Sequence, residues 1–313
     1  MASSELLELR PDGLYCPAGD FYIDPWRPVK RAVITHAHRD RVCPGSRVYA
    51  IAREGKPLLL DLLGADAPVK AVDYGKQLKL GDTAVSFHPA GHILGSAQVR
   101  IEYRGEIWVV AGDCKLAPDP TCAPFELLRC HTFVTEAAFA LPIFRWPEPT
   151  EAIAAIRDWW RANDEAGKTS VLYAHPLGMA QRLFAALGPV AAHAEVERYS
   201  TLYRAAGVDL PQLQPQATLS LAPPGWKQAA GRVSTAMASG WMRIRGTRRR
   251  RSLDRGFVIS DHADWNGLLR VIDETGASNI LVATGYRGPL VRWLTEHGRQ
   301  ARALETRWEG AES

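Results

Sequence analysis

The stretch Thr35-His36-Ala37-His38-Arg39-Asp40-Arg41 decides the fold. It closes the apolar, β-branched segment 31–35, so its side chains are expected to project from a loop at a strand end. Two imidazoles and a carboxylate within five residues of such a loop can converge on one ion. The stretch therefore predicts a metal site beside a β-sheet.

Three further segments place imidazole or carboxylate groups at strand ends. Gly91-His92-Ile-Leu-Gly95-Ser96 puts a histidine in a glycine-flanked turn, Asp113 follows the apolar strand 106–111, and Glu136 follows the strand 132–135. Each residue alone would be an ordinary turn residue. Because all of them follow strands in the same way as His36 and His38, the sequence predicts that they join one candidate metal site.

The first 147 residues have the pattern of short strands and turns. Segments 83–88 and 97–103 alternate apolar and polar residues, and 106–111 is nearly continuously apolar. Downstream, Thr150 is expected to cap a helix over 151–160, a strand is expected over 168–174, and another helix from Gly178. This pattern predicts a β-rich layer followed by a βα-type segment.

The C-terminal region repeats the strand and helix alternation. Strands are expected over 256–260 and 279–283, and helices from Asp264 and over 289–297. The two ends of the chain are therefore expected to form one domain, over 1–147 and 257–313, with 148–256 inserted between them.

Composition excludes several classes of protein. The 313 residues include no run of about 20 apolar residues that could span a membrane, and the start lacks a secretory signal. Five cysteines form no C-x-x-C pair, which argues against a zinc ribbon and a disulfide framework. We expect a soluble, cytoplasmic protein with reduced thiols and no membrane partner.

The net charge of +4 is concentrated in one segment. Residues 243–255 contain seven arginines and one aspartate, so the rest of the chain is slightly acidic. Guanidinium groups bind phosphates and stack on bases, which makes this segment a candidate nucleic-acid contact. The alternative is a solvated basic loop. The predicted DNA-binding residues are Arg243, Arg245, Arg248, Arg249, Arg250 and Arg251.

These motifs together resemble the metallo-β-lactamase superfamily, whose hallmark is His-x-His-x-Asp-His followed by a histidine in a glycine-rich turn and a bridging aspartate. Glu136 and Ser260-Asp-His262-Ala-Asp264 resemble the first two motifs of the β-CASP nucleases. More narrowly, the chain resembles the bacterial ligase-associated DNA exonucleases. That resemblance is carried by Phe87-His-Pro-Ala-Gly-His92-Ile-Leu-Gly-Ser-Ala-Gln98, Ala117-Pro-Asp-Pro-Thr121, Ser239-Gly-Trp-Met242 and Ile259-Ser-Asp-His-Ala-Asp-Trp265.

The resemblance implies an α/β fold, a four-layer αββα sandwich with an inserted β-CASP-type cap domain. It implies a first metal site at His36, His38, His92 and Asp113, and a second at Asp40 and the shared Asp113. The implied catalytic residues are Asp40, Asp113, Glu136 and His262. The implied cofactor is Zn²⁺, or Mn²⁺. The implied partners are DNA, single-stranded or as a duplex end, an ATP-dependent DNA ligase and a helicase.

The chain departs from the family pattern at two positions. Arg41 stands where the pattern ends in histidine, and Thr284 stands at the third β-CASP position. In the family both histidines belong to the second metal. Because arginine is permanently charged and bidentate, Arg41 could lie between Asp40 and Asp113 and replace that cation. The alternative is that Arg41 points into solvent and the site is a relic.

Two functions from different classes remain open. The first is a metal-dependent phosphodiester hydrolase, a DNA exonuclease of repair, with one intact metal site and therefore slow. The second is an inactive relative that binds DNA or a repair partner without cutting. Hydrolysis of a small molecule by the same fold is a third possibility, but the inserted domain and the arginine run argue against it.

Overall fold

The computed structural model describes residues 5–227 and 231–308. The chain forms two compact units. The first contains Met1–Pro118, Cys122–Leu141 and Trp265–Ser313, and the second contains Asp119–Thr121 and Pro142–Asp264. The N-terminal and C-terminal parts of the described chain thus belong to the first unit, and its middle part forms the second.

The first sheet of the first unit uses the N-terminal part of the chain. Its strands are β1 (Glu8–Arg10), β2 (Gly13–Cys16), β3 (Phe21–Ile23), β4 (Ala32–Val33), β5 (Tyr49–Ala52) and β6 (Val69–Val72). They lie in chain order, antiparallel from β1 to β3 and parallel from β3 to β6. A short 3₁₀ helix, Arg39–Arg41, follows β4, and helix α1 (Lys56–Leu63) contacts β6.

The second sheet of the first unit begins as a meander. Its first five strands along the chain are β7 (Leu78–Leu80), β8 (Thr83–Pro89), β9 (Ala97–Tyr103), β10 (Glu106–Val110) and β11 (Thr132–Thr135). Strands β7 to β10 pair antiparallel with their neighbours, and β11 adds to β10 in parallel. The alternation over 83–88 and 97–103 correctly predicted β8 and β9.

The second unit is built on a parallel five-stranded sheet. Its elements are α2 (Pro149–Glu165), β12 (Thr169–Tyr173), α3 (Met179–Leu187), β13 (Ala191–Ala192), α4 (Ala194–Ala205), β14 (Leu219–Ala222), β15 (Val233–Ala238), α5 (Thr247–Arg250) and β16 (Arg255–Phe257). The sheet order is β13-β14-β12-β15-β16. Helices α2 and α3 share one apolar core with this sheet through Ile156, Leu183, Leu172 and Ala236.

The C-terminal segment returns to the first unit and completes its second sheet. Its elements are α6 (Trp265–Glu274), β17 (Asn279–Val282), α7 (Arg287–Glu296) and β18 (Gln300–Ala303). Strand β17 pairs with β11, and β18 pairs with β17, all in parallel, which gives the order β18-β17-β11-β10-β9-β8-β7. Helix α7 contacts β17 and β18. The predicted α/β class is confirmed.

One apolar cluster joins the two sheets of the first unit. Phe21 and Val33 from the first sheet share it with Phe87, Val99 and Val110 from the second. The two sheets therefore pack face to face. The buried residues of helices α1 and α7 do not belong to this cluster. These helices therefore do not contribute to the core between the two sheets.

Several expected boundaries shift in the structure. Helix α2 begins at Pro149, so Thr150 lies in the first turn and does not cap it; proline's fixed φ suits the first helical position. Strand β16 ends at Phe257, short of the expected residue 260, because its pairing with β15 ends there. Residues 257–264 were expected in the domain formed by 1–147 and 257–313, but they belong to the second unit. There, Trp146 donates hydrogen bonds to the His262 carbonyl oxygen and to the Asp264 carboxylate.

Two further features bear on the class of protein. Within the described residues, no helix is long and apolar enough to cross a membrane. All five cysteines are free thiols, and Cys16, Cys114 and Cys130 are buried.

Phe87→Ala should destabilise the first unit by about 3–5 kcal/mol, because Phe87 is fully buried in the shared core and its loss leaves a cavity. The free energy of urea unfolding measures this. Leu9→Ala, at a residue 40% exposed, is the matched control and should change stability by less than about 0.5 kcal/mol. Equal losses in the two variants would contradict the shared core.

Candidate metal centre and basic segment

The loop after β4 holds His36 in a fixed orientation. Thr35 donates its backbone N–H to Asp24 Oδ1 over 2.8 Å and its hydroxyl to Asp24 Oδ2 over 2.6 Å. Since that hydroxyl has one proton, its oxygen is left to accept from His36 Nδ1–H, 3.0 Å away. When Asp24 is ionised, this chain of hydrogen bonds places the imidazole proton on Nδ1 and the lone pair on Nε2.

His36 Nε2 needs a positive partner. It is buried, has no hydrogen bond within the described residues, and lies 3.3 Å from Asp113 Oδ2. Burial lowers the pKa of His36 to about 4, although the Asp113 carboxylate opposes this, so the ring is neutral near pH 7. With the proton on Nδ1, a lone pair on Nε2 faces a carboxylate oxygen, and this arrangement is repulsive unless a cation lies between them. This pair of atoms therefore fits a metal ion.

His38 and His92 complete an imidazole cluster with His36. Nε2 of His38 lies 3.0 Å from Nε2 of His92, and one ring nitrogen from each of the three histidines lies within 4.8 Å of the others. His92 Nε2 is 4.0 Å from Asp113 Oδ2. Three imidazoles and one carboxylate are a donor set that zinc accepts. The structure thus brings together His36, His38, His92 and Asp113.

Glycines fix the two turns that carry His92 and Asp113. Gly91 has φ +73°, and a Cβ on it would lie 2.2 Å from the Lys115 carbonyl oxygen. Gly112 has φ +62°, and its Cβ would lie 2.9 Å from the Thr35 side chain. Both positions require glycine, because the left-handed backbone disfavours a side chain and the space is already filled. The close approach of the two turns depends on them.

The Arg41 side chain lies among three carboxylates and is 2% exposed. Its Nη2 pairs with Asp113 Oδ1, its Nε lies 3.2 Å from Asp40 Oδ2, and its Nη1 lies 4.0 Å from Asp24 Oδ2. Burial alone would lower the pKa of Arg41, but these carboxylates outweigh burial and raise it. The guanidinium contacts both Asp40 and Asp113 and does not point into solvent, so a fixed positive charge stands beside the imidazole cluster.

Asp24 and Trp308 were missed by the sequence analysis. Burial raises the pKa of Asp24 to about 7, against the opposing effects of Arg41 and the Thr35 hydrogen bonds. The Trp308 ring lies 5.1 Å from the Arg41 guanidinium carbon, and its Nε1 donates to the Asp24 carbonyl oxygen. Asp24 follows β3, so the signal that identified the other acids, a carboxylate at a strand end, also applied to it. Nothing local marked Trp308.

Glu136 and Cys114 support the strand end that carries Asp113. Glu136 is buried, and its Oε1 accepts a 2.9 Å hydrogen bond from the Cys114 backbone N–H. Burial, and then Glu136 and Asp113, raise the pKa of the Cys114 thiol well above its usual value. Cys114 is therefore a neutral thiol that fills space and does not provide a thiolate ligand.

Thr284 follows β17 in the first unit. Its side chain is buried, and its Oγ1 has no hydrogen-bond partner within residues 5–227 and 231–308. A buried hydroxyl without a hydrogen-bond partner costs free energy. The surroundings of Thr284 therefore do not meet the hydrogen-bonding needs of a threonine side chain.

His262 is described within the second unit. It is buried, its backbone N–H donates to Ser260 Oγ, and its carbonyl oxygen accepts from Trp146 Nε1 over 3.0 Å. Arg182 donates to the Ser260 carbonyl oxygen over 2.6 Å. The loop carrying His262 is thus held rigidly from two sides, and its role toward the metal cluster stays a prediction.

The six arginines predicted to bind DNA have exposed side chains. Three of them donate within the second unit: Arg243 to the Ile143 carbonyl oxygen, Arg248 to the Asp254 carbonyl oxygen and Arg250 to Thr247 Oγ1. In the part of the chain that the structure describes, none of the six forms an ion pair with a carboxylate. Their positive charges are available to a polyanion.

Comparisons with known proteins find a curated relative and solved structures of similar fold. No model of a known protein family matches the chain. A protein of Opitutus terrae (strain DSM 11246 / JCM 15787 / PB90-1) named "Probable DNA ligase" is 27% identical over 310 residues. The match covers 93% of this chain and 30% of that protein, so the chain spans less than a third of the relative. A crystal structure of a protein of unknown function from Enterococcus faecalis V583 has a similar fold, with TM-score 0.56, 13% identity, and coverage of 89% and 80% of the two chains.

Arg41→Met should lower the free energy of unfolding by about 3–5 kcal/mol in metal-free buffer, because it leaves the buried Asp113 carboxylate without its cation. Denaturant titration in EDTA measures the loss. Arg39→Met, on the same 3₁₀ turn but exposed, is the matched control and should change stability by less than about 0.5 kcal/mol. Wild-type stability in Arg41→Met would show that the ion pair is not formed.

Proposed function

We propose that this protein is a metal-dependent phosphodiester hydrolase that acts on DNA, similar to the ligase-associated DNA exonucleases. The observation that carries the proposal is the convergence of His36, His38, His92 and Asp113 beside a buried Arg41. The two face-to-face sheets and the separate parallel-sheet unit support a metallo-β-lactamase sandwich with a β-CASP-type cap. The similarity to a protein named as a DNA ligase supports a DNA-processing role.

We assign one zinc ion, or manganese, to the three histidines and Asp113. When bound, the ion supplies positive charge that lowers the pKa of a nearby water and stabilises negative charge on the phosphodiester. His36 is prepared for this role because Thr35 and Asp24 orient its ring and leave Nε2 as the ligand atom.

Arg41 replaces the second metal in this proposal. It holds Asp113 and Asp40, the two carboxylates that would otherwise bind that ion, and its charge neutralises part of their field. Arginine cannot bind and activate a water as a metal ion does, so hydrolysis is expected to be slow.

Two other residues have assigned roles. His262 would protonate the oxygen that leaves the phosphorus, since an imidazole titrates in the range that general acid catalysis requires. Glu136 acts by position, because its hydrogen bond to the Cys114 N–H holds the peptide that follows Asp113.

The exposed arginines favour a nucleic-acid substrate over a small molecule. A lactam or thioester does not need Arg243, Arg245 and 248–251, whereas a DNA strand or duplex end presents phosphates along such a segment. The resemblance also suggests a DNA ligase and a helicase as partners. The competing proposal is a relative that binds DNA or a repair partner without cutting, and the cationic replacement at Arg41 favours it.

Metal content and cutting should both depend on the cluster. Purified protein loaded with zinc and dialysed should retain about one ion per chain, and His36→Ala should retain less than half of this because it removes a ligand. Elemental analysis measures the ion.

Labelled single- and double-stranded DNA should be degraded slowly by the wild-type protein with zinc or manganese, and not by His36→Ala.

The double variant Arg41→His with Thr284→His separates the two proposals. If it binds a second ion and cuts DNA that the wild-type protein leaves intact, the natural chain is a binding protein with a disabled centre. Cutting by wild-type protein that EDTA abolishes supports the hydrolase.

Arg249→Glu with Arg250→Glu should weaken DNA binding by about tenfold or more in about 0.1 M salt and flatten its salt dependence, because fewer counterions are released. Fluorescence anisotropy of a labelled strand at several salt concentrations measures both effects. The matched control is Arg157→Glu with Arg161→Glu on the exposed side of α2, which reverses the same number of charges in the same unit. Equal weakening by both pairs would remove the specific role of the arginine segment.

A further inference from the structure

The second unit contains a cavity of about 380 Å³ that lies against one face of its sheet. Tyr173, Thr235 and Met237 line it, and they alternate along β12 and β15 with Leu172, Ala236 and Ala238, which pack in the core with α2 and α3. Because successive side chains of a strand point to opposite faces, the cavity lies on the face away from that core.

Aromatic side chains form one wall of the cavity. Tyr173 is the last residue of β12, and its hydroxyl donates to the Trp226 carbonyl oxygen over 2.7 Å, which fixes the loop after β14. The half-buried Trp226 ring also lines the cavity and meets His193 edge-on, with ring centroids 5.8 Å apart. Met237, a buried residue of β15 paired with Tyr173, adds apolar surface to the lining. The wall presents flat apolar surface to a ligand.

Two cations lie at the same cavity. Lys227 and Arg251 line it, and both are exposed. Among the described residues, neither side chain forms a hydrogen bond or an ion pair. The nearby carboxylate of Asp254 is already bonded to the backbone N–H and hydroxyl of Thr235. The cavity therefore combines an aromatic wall with two cations that form no ion pair among the described residues, and its ligand should be planar and anionic.

We propose that this cavity binds one nucleotide of a nucleic-acid strand, with the base against Tyr173 and Trp226 and the phosphate at Lys227 and Arg251. The volume lies within the range of about 300–1,000 Å³ that is usual for ligand sites. Base stacking on aromatic rings is tolerant of sequence, and arginine and lysine bind phosphate. The choice of a nucleic-acid ligand rests on the proposed function. Arg251 lines the cavity and is also the last residue of the arginine run 248–251, so the cavity adjoins that run.

The test uses small probes and the whole chain in EDTA, so that it does not depend on the metal centre. Three probes are titrated separately: deoxyadenosine 5′-monophosphate, deoxyadenosine and inorganic phosphate. Binding is followed by NMR, through the proton signals of the two adenine compounds and the phosphorus signals of the two phosphate compounds. The nucleotide should bind at least about tenfold more tightly than either of its parts, because only it contacts the aromatic wall and the cations together.

Two variants assign the binding to this cavity. Arg251→Ala should weaken nucleotide binding about tenfold and leave deoxyadenosine binding unchanged, since it removes a charge-assisted contact. Trp226→Ala should weaken both. Arg161→Ala, at an exposed arginine of α2 in the same unit, is the control and should bind the nucleotide as the wild-type protein does.

Three outcomes would overturn the inference. Equal affinity for phosphate and nucleotide would reduce the cavity to an anion site, and undiminished nucleotide binding in Arg251→Ala and Trp226→Ala would place the ligand elsewhere. No nucleotide binding, together with DNA cutting by the same preparation when zinc is added, would reject the cavity and leave the proposed function standing. Nucleotide binding without cutting would support the cavity and reject the hydrolase.

Discussion

The buried ion pair between Arg41 and Asp113 is the interaction on which the rest of the centre depends. Arg41 comes from the loop between β4 and β5 of the first sheet, and Asp113 follows β10 of the second, so the pair joins the loops of two sheets packed on each other. A buried guanidinium is tolerated only with anionic partners. Asp40 and Asp24 supply the remaining negative charge, and Trp308 lies near its face.

The same carboxylate serves the imidazole cluster. One oxygen of Asp113 faces Arg41, and the other lies 3.3 Å from His36 Nε2. A single side chain is thus shared between a permanent protein cation and the position suited to a metal ion. Because Arg41 holds one oxygen of Asp113, the other oxygen keeps its place beside the histidines.

The second unit gives the centre a context that the metal cluster alone lacks. Its parallel sheet carries exposed arginines after β15, a loop rigidly held around His262, and a cavity with aromatic and cationic walls. The exposed arginines and the cations at the cavity have one chemistry in common, positive charge without a carboxylate ion pair among the described residues.

By itself the sequence predicted several of the strands and helices and the candidate ligands. The alternation of β8 and β9, and imidazoles and acids placed just after strands, are local patterns, so His36, His38, His92 and Asp113 could be recognised without coordinates. The sequence allowed Arg41 to be either a solvent-exposed remnant or an internal cation, and it gave no role to Asp24, Trp308 or the wall formed by Tyr173 and Trp226. Only the tertiary structure decided these, because burial and the distance between two charges depend on how separate sheets and loops pack.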